Sequence, residues 1–103
     1  MLKMYIFVLD SIDLGHAMVS VAHAAVACTV KYQDHSDVQA WLSGPFRKVI
    51  CKVNQVEFER LKGLCDDYLI MNEGSLEGNP EVCIVFRPRE EFPKAFNFFK
   101  LYK

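Results

Sequence analysis

Gly15-His-Ala-Met-Val-Ser-Val-Ala-His-Ala-Ala-Val-Ala-Cys-Thr-Val-Lys-Tyr32 is an unbroken, mostly apolar run with no Gly or Pro after its first residue. Such a run predicts a long helix, and a helix that is apolar on most faces is normally covered by other elements. We therefore expect a buried core helix. At about 100° per residue, His16, Ser20 and His23 fall on one narrow stripe of this helix. We expect the stripe to face a cleft or a short loop, and any chemistry to take place there.

The composition is that of an ordinary globular domain. The chain of 103 residues is predicted to form a single α/β domain over residues 1–103, with one core of the usual size. Its residues are 51% hydrophobic and 24% charged, and no internal repeat occurs, which excludes disordered chains and solenoids. The formal net charge of −1 gives no global attraction to nucleic acid or anionic lipid. Any site for a polyanion must therefore be a local cluster of basic residues.

The cysteines and the N-terminal segment indicate the compartment. The four cysteines stand singly in apolar runs, with no Cys-x-x-Cys pair and no zinc-ligand spacing; they are Cys28, Cys51, Cys65 and Cys83. We expect reduced core residues, no metal and no cofactor. The apolar part of Met1–Asp10 is too short for a secretory signal or a membrane span. We therefore expect a cytoplasmic protein with no membrane partner.

The first half of the chain has the pattern of a βαβ unit. Lys3–Leu9 is a continuous apolar run that predicts a strand buried on both faces, at the centre of a sheet. A second short helix over Ser36–Ser43 is stopped by Gly44-Pro45. Arg47–Val53 predicts a second strand, which should lie parallel to the first because a helical crossover connects them.

The second half adds a helix and a hairpin. Asn54 and Glu57 have the spacing of a capping box, which predicts a third helix. Asp67–Asn72 and Val82–Arg87 predict two strands joined by a turn-rich linker, compatible with antiparallel pairing. The predicted fold is one α/β domain with a four-stranded mixed sheet flanked by helices.

The C-terminal tail is rich in aromatic residues. Phe92, Phe96 and Phe99 keep helical intervals. A tail folded onto the sheet or onto a partner subunit is favoured over a surface that stacks nucleic-acid bases.

The long helix resembles the corresponding helix of the second-type peptidyl-tRNA hydrolases, which occur in archaea and eukaryotes. The family pattern runs Gly-Lys-x-x-x-Gln-x-x-His-Ala-Ala, and Gly15 and His23-Ala-Ala25 match it. His16 stands where the family has Lys, and Ser20 stands where it has Gln. The match implies the family's fold and points to the same helix as the site of chemistry.

A second motif resembles the family's Asp-Ala-Gly-Arg-Thr segment and the Pro that follows it. Here the segment is Asn72-Glu-Gly-Ser-Leu76 with Pro80, so Gly74 and Pro80 match while Asn72 replaces Asp. Ser75 replaces the family's Arg, and Leu76 replaces its Thr. Further on, Arg87-Pro88 stands where the family has Gly-Pro, and Phe99–Tyr102 is similar to its closing Leu-Lys-Leu segment.

The resemblance implies hydrolysis of the ester that joins a peptide to the terminal ribose of tRNA. That reaction needs an activated water, stabilisation of an oxyanion and cations for phosphate. The implied catalytic positions are His16, Ser20, His23 and Asn72. Since the family's Lys, Gln, Asp and Thr have all changed type, we expect a degenerate site that hydrolyses peptidyl- or aminoacyl-tRNA esters weakly or only binds them. His16 is the one candidate base, because its unperturbed pKa lies near neutrality.

Other interpretations stay open at this point. Ser20 and His23 have the i, i+3 spacing of a nucleophile and base, but no Gly-x-Ser-x-Gly turn accompanies them. His23 also fits a structural role in the core. The basic residues Lys31, Arg47, Lys48 and Lys52 fit a solvated sheet edge better than a phosphate site.

Two partners are expected. The Ala-rich helix and the aromatic tail together carry more apolar surface than a small sheet can cover, which predicts a homodimer, as the resemblance also implies. The resemblance further implies tRNA as a partner. The alternative to a divergent hydrolase is a non-catalytic, homodimeric interaction module that keeps only the fold.

Overall fold

The computed structural model describes all residues from Met1 to Lys103. Four strands and three α-helices follow one another, and a 3-10 helix over Lys94–Phe98 comes last. The elements are β1 (Lys3–Leu9), α1 (Leu14–Lys31), α2 (Ser36–Ser43), β2 (Arg47–Val53), α3 (Gln55–Leu61), β3 (Tyr68–Asn72) and β4 (Glu81–Arg89). The predicted single α/β domain with a four-stranded mixed sheet is confirmed.

The strands lie in the order β2-β1-β4-β3. β1 pairs with β2 in parallel and with β4 in antiparallel orientation, and β3 pairs antiparallel with β4. The central position of β1, the parallel β2 and the hairpin of β3 and β4 are therefore as predicted. The capping box at Asn54 and Glu57 is also present, and α3 ends at Leu61.

Each face of the sheet carries its own core. On one face, the small residues Ala17, Ala24 and Cys28 of α1 pack with Trp41 of α2 against the sheet. On the other face, α3 and the 3-10 helix pack through Phe58 and Phe96. The aromatic tail thus folds onto the sheet as predicted, but as a 3-10 helix.

The long helix is covered on one side only, which corrects the expectation of a buried helix. Ala17, Ser20, Ala24 and Cys28 are its buried residues. Met18 is 65% exposed, Val26 is 66% exposed, and Val30 is similarly exposed. The small side chains let the helix approach the sheet closely, and no other element of the chain lies over its opposite side. By length and composition alone this helix could cross a membrane, but core helices of soluble proteins pass the same test.

The C-terminal segment lies along the outer edge of β2. Lys52 N–H donates to the Lys100 carbonyl, and Tyr102 N–H donates to the Ile50 carbonyl. A bridge between Cys51 and Leu101 completes this short pairing. The edge strand therefore has hydrogen-bond partners on both sides along this stretch.

Candidate active site

Several strand ends and the start of α1 lie at the same end of the sheet. β1 and β2 are parallel and in register, so both end there, and α1 begins a few residues beyond β1. Val8 is opposite Cys83, so β4 begins at this end of the sheet. Asn72 is opposite Glu81, so β3 ends there as well. The loop between β3 and β4, residues 73–80, consequently comes close to the first turn of α1.

His16 is the residue that joins α1 to this loop. Its Nδ1 is hydrogen-bonded to the Asp13 carboxylate, at the N-cap of the helix. Its Nε2 lies 3.0 Å from the Ser75 hydroxyl. The side chain is 33% exposed, so a ligand from solvent can reach it.

Ser75 is held towards His16 by its own loop. Its hydroxyl lies 2.8 Å from Glu73 Oε1, and its backbone N–H donates to the same oxygen at 3.2 Å. The loop itself is closed by Glu73 N–H, which donates to the Pro80 carbonyl. Asp13, His16, Ser75 and Glu73 thus form one continuous hydrogen-bonded chain at the surface.

The charges in this hydrogen-bonded chain of side chains favour a protonated His16 imidazole. The hydrogen bond that His16 donates to the Asp13 carboxylate raises the pKa of His16 above its ordinary value, and the charge of Glu73 adds to the effect. The hydrogen bond with His16 in turn lowers the pKa of Asp13. The hydrogen bonds from Ser75 lower the pKa of Glu73. Both acids are therefore ionised at neutral pH, and more of His16 is protonated than in a free histidine.

The polar stripe predicted on α1 does not face one cleft. Ser20 is only 2% exposed and lies on the side of the helix that packs on the sheet, between Ala17 and Ala24. His23 is exposed to solvent. The nucleophile and base suggested by Ser20 and His23 are therefore divided between the interior and the surface. The spacing of residues along a helix stripe does not show where the packed side ends, and in α1 that boundary falls between Ser20 and His23.

Asn72 is engaged within its own hairpin. Its side-chain amide donates to the Asn79 carbonyl at 2.9 Å. It lies opposite Glu81, whose carboxylate binds Lys62 at the end of α3. Side chains alternate along β3, with Met71 packed on the α1 side and Ile70 on the α3 side, so Asn72 is directed to the α3 side, away from α1. The implied catalytic positions His16, Ser20 and Asn72 therefore do not meet in one open cleft.

Three members of the hydrogen-bonded chain were not among the predicted site residues. Asp13 could have been found, because its i, i+3 spacing to His16 places both at one helix end. Ser75 is 59 residues from His16 in sequence, and Glu73 is in the same loop. No local pattern indicates a contact over that distance. Leu76, next to Ser75, packs against the core under α1 and anchors the loop there.

Basic side chains are concentrated at the neighbouring end of β2. A shallow depression is lined by Lys52, Lys100, Leu101 and Lys103. Lys52 belongs to the predicted basic set, whereas the other two lysines come from the C-terminal segment. Lys48, at the opposite end of β2, lies 4.3 Å from the centre of the Phe46 ring, and burial lowers its pKa. Of the predicted basic set, Lys52 alone lines this depression.

The His, Cys, Asp and Glu side chains are too dispersed to form a metal site. No group of three or more His, Cys, Asp or Glu residues is close enough to hold an ion. All four cysteines are free, and Cys28, Cys51 and Cys83 are buried.

Comparison with known proteins bears on the fold and on this site together. No curated protein sequence is similar enough to be matched to this chain. The family model described as peptidyl-tRNA hydrolase PTH2 matches residues 2–91, which include all four strands, α1 and the loop that carries Ser75. On that match, the chain belongs to the PTH2 family of peptidyl-tRNA hydrolases.

Proposed function

We propose that the chain binds peptidyl- or aminoacyl-tRNA esters and hydrolyses them slowly, in the cytoplasm, with His16 as the general base. Family membership supports a substrate related to tRNA. The single observation that carries the catalytic part is the imidazole of His16, hydrogen-bonded on one side to Asp13 and 3.0 Å from a hydroxyl on the other. A histidine in this state can accept a proton when neutral and return it to a leaving oxygen.

The rate should be low because the site is degenerate. Ser20 is buried and Asn72 is engaged in its hairpin, so neither is free to supply a donor at the reacting carbonyl. Leu76 supplies no polar group. Losing one preorganised oxyanion donor commonly costs about 100- to 1,000-fold in rate. Such losses need not add when residues act as a unit.

The depression at the end of β2 is the proposed phosphate contact. Lys52, Lys100 and Lys103 line it. It lies at the end of the sheet where α1 begins. The ends of β1 and β2 are joined there, because Asp10 N–H donates to the Val53 carbonyl. Cations that neutralise phosphates give a binding constant that falls with salt. A chain with net charge −1 needs such a local cluster to hold tRNA.

The test is peptide release from purified peptidyl-tRNA, measured beside a family member that carries the complete motif. We expect release above the buffer rate but at least about 100-fold slower than that enzyme. His16→Ala should lower the rate enhancement over buffer by about 100- to 10,000-fold, as expected for the loss of a general base. His35→Asn is the matched control, because His35 caps α2 through Nδ1, where Asn serves equally well. Equal rates for wild type and His16→Ala would overturn the catalytic proposal.

The second candidate is a homodimeric interaction module without activity. The observation that favours it is the outer face of α1, which we define by its exposed apolar residues Leu14, Met18, Val19, Val26 and Val30. Two apolar grooves flank this face, one against Ile50 and Tyr102 and one against Trp41 and Phe46. A continuous exposed apolar surface of this kind marks a protein interface. We propose that a second copy of the chain covers it, whichever of the two functions holds.

A further inference from the structure

The proposed base leaves open which atom attacks the ester. We propose that Ser75 is the nucleophile, activated by His16 and oriented through Asp13, and that the chain forms an acyl-serine with carboxylic esters. This inference rests on the proposed ester hydrolysis and names its chemical step. It also extends to simple esters that carry no RNA.

The first support is the order of the hydrogen bonds. An imidazole that binds a carboxylate through Nδ1 and a hydroxyl through Nε2 has the arrangement of a nucleophile, a base and an orienting acid. The 3.0 Å separation of His16 Nε2 and Ser75 Oγ lies within the range required for proton transfer. Asp13 occupies the other ring nitrogen, which keeps the Nδ1 proton in place and leaves Nε2 free to accept.

The second support is access. Ser75 lies in an exposed loop, so an acyl group can approach its hydroxyl from solvent. The loop is nevertheless held in place, since Glu73 accepts two hydrogen bonds from Ser75 and Leu76 packs against the core. A held but accessible hydroxyl is what a nucleophile requires.

Glu73 makes the arrangement depend on the protonation of His16. The Ser75 hydroxyl has one proton and two neighbouring acceptors, Glu73 Oε1 and His16 Nε2. When His16 is protonated, its Nε2–H donates to Oγ, and the hydroxyl donates to Glu73. When His16 is neutral, the hydroxyl can donate to Nε2 instead. Only the neutral form activates the serine.

The reaction is balanced without a cofactor. Ser75 Oγ attacks the ester carbonyl carbon while its proton passes to His16 Nε2. The bond from that carbon to the alcohol oxygen breaks, and His16 gives the proton to the leaving oxygen. Water then attacks the acyl-serine, a proton passes to His16 and on to Oγ, and the acid is released. The backbone amides of Leu14 and Gly15 precede the first intrahelical donor and receive no side-chain cap, so they are the donors that we assign to the oxyanion.

The competing interpretation is a purely structural contact that ties the loop to α1. That contact would also be lost in Ser75→Ala, but it predicts no covalent chemistry. The test therefore uses a fluorophosphonate, which reacts with activated serines, and p-nitrophenyl acetate as a simple ester. Intact mass and peptide mapping locate the adduct.

We expect one fluorophosphonate adduct per chain, on the peptide that contains Ser75. Ser75→Ala should abolish it, and His16→Ala should slow labelling by about 100-fold or more. Ser43→Ala is the matched control, because Ser43 is an exposed serine on α2 that bonds only to its own helix. No adduct on the wild type, or an adduct elsewhere, would overturn the proposal.

A thiol in place of the hydroxyl provides a second readout. In Ser75→Cys, alkylation by iodoacetamide should be faster than at Cys65, the one native cysteine that is not fully buried. The addition of His16→Ala should remove this advantage. Equal alkylation rates with and without His16 would count against activation.

The pH profile separates orientation from mere packing. The groups that face His16 are Asp13 from the start of α1 and Glu73 from the loop, and both raise its pKa. Labelling of the wild type should therefore rise with pH through that raised value. In Asp13→Asn the rise should move to lower pH, while the maximal rate falls because the tautomer is no longer held. An unmoved profile would contradict the orienting role of Asp13.

The results also separate this inference from the proposed function. Release of peptide from peptidyl-tRNA at the wild-type rate by Ser75→Ala would overturn the acyl-serine and leave the tRNA hydrolase standing. Labelling of Ser75 without cleavage of peptidyl-tRNA would support the acyl-serine and overturn the tRNA substrate.

Discussion

The two faces of the sheet are built from different side chains. On the α3 face the core consists largely of aromatic rings, and Phe7, Phe58, Phe86 and Phe96 are all buried. On the α1 face the helix contributes Ala17, Ser20, Ala24 and Cys28, none larger than a cysteine. Large rings fill the space under a short helix and a tail, whereas small residues bring a long helix close to the strands.

The difference assigns separate roles to the two faces. Each face buries a core cluster of ten residues, but the aromatic face leaves few large apolar residues outside, with Val56 and Phe98 as the main exceptions. The α1 face leaves Met18, Val26 and Val30 exposed and also carries His16. Both sides of the sheet are thus packed, and the exposed apolar surface and the hydrogen-bonded His16 are on the α1 side.

The largest effect is expected on the aromatic face. Phe96 is 2% exposed and lies against the rings of Tyr5, Phe7 and Phe86. Phe96→Ala should lower the free energy of unfolding by about 3–5 kcal/mol, because it leaves a cavity. Phe98→Ala, in the same 3-10 helix but 86% exposed, should change it by less than about 0.5 kcal/mol. Urea unfolding followed by fluorescence measures both, and similar losses would mean that the tail does not pack as described.

A smaller loss of stability is expected when a small residue that lets α1 approach the sheet closely is enlarged. Ala24 is fully buried between the helix and the sheet, so Ala24→Leu should cost about 1–3 kcal/mol by overpacking. Ala22→Leu, on the exposed side of the same helix, is the control and should cost less than about 0.5 kcal/mol. Equal effects at the two positions would contradict one-sided packing.

The outer face of α1 should affect assembly more than folding. We expect the wild type to sediment as a dimer at micromolar concentration, and Met18→Lys with Val26→Lys to sediment as a monomer. Val56→Lys, at a residue that is 78% exposed on α3, should leave the dimer intact. A wild-type mass near that of one chain would refute the homodimer.

The smallest effect is expected for the reactivity of the cysteine thiols. These thiols lie on both faces of the sheet. Burial raises the pKa of Cys28 and Cys83 to about 12, and that of Cys51 to about 11. At pH 8 the folded protein should therefore show one slowly reacting thiol, Cys65, and four only after denaturation. If Cys28 reacted faster than Cys51, the buried thiol of the aromatic face, the helix would be opening more readily than that face. Fewer than four thiols in the denatured, unreduced chain would contradict the prediction of reduced cysteines.

The sequence was sufficient to predict the architecture because its signals are local. The apolar run of β1, the capping box at Asn54 and the breaker at Gly44-Pro45 each act within a few residues. The site was less predictable. Whether Ser20 is buried depends on which side of α1 meets the sheet, and the contact of His16 with Ser75 depends on the loop's path across 59 residues. His16 was predicted from the polar stripe of α1 and from its position in the family motif, whereas its contact with Ser75 is seen only in the structure.

The short pairing of the C-terminal segment with β2 bears on how copies of the chain can associate. An edge strand with free amides and carbonyls invites another strand to extend the sheet, a route to fibres. Here Lys100 and Tyr102 already occupy the amide of Lys52 and the carbonyl of Ile50. The sheet therefore cannot be prolonged across this stretch of β2 into a second molecule. A chain clipped before Lys100 would lose this protection, and its bare edge would favour open-ended polymers over a closed pair.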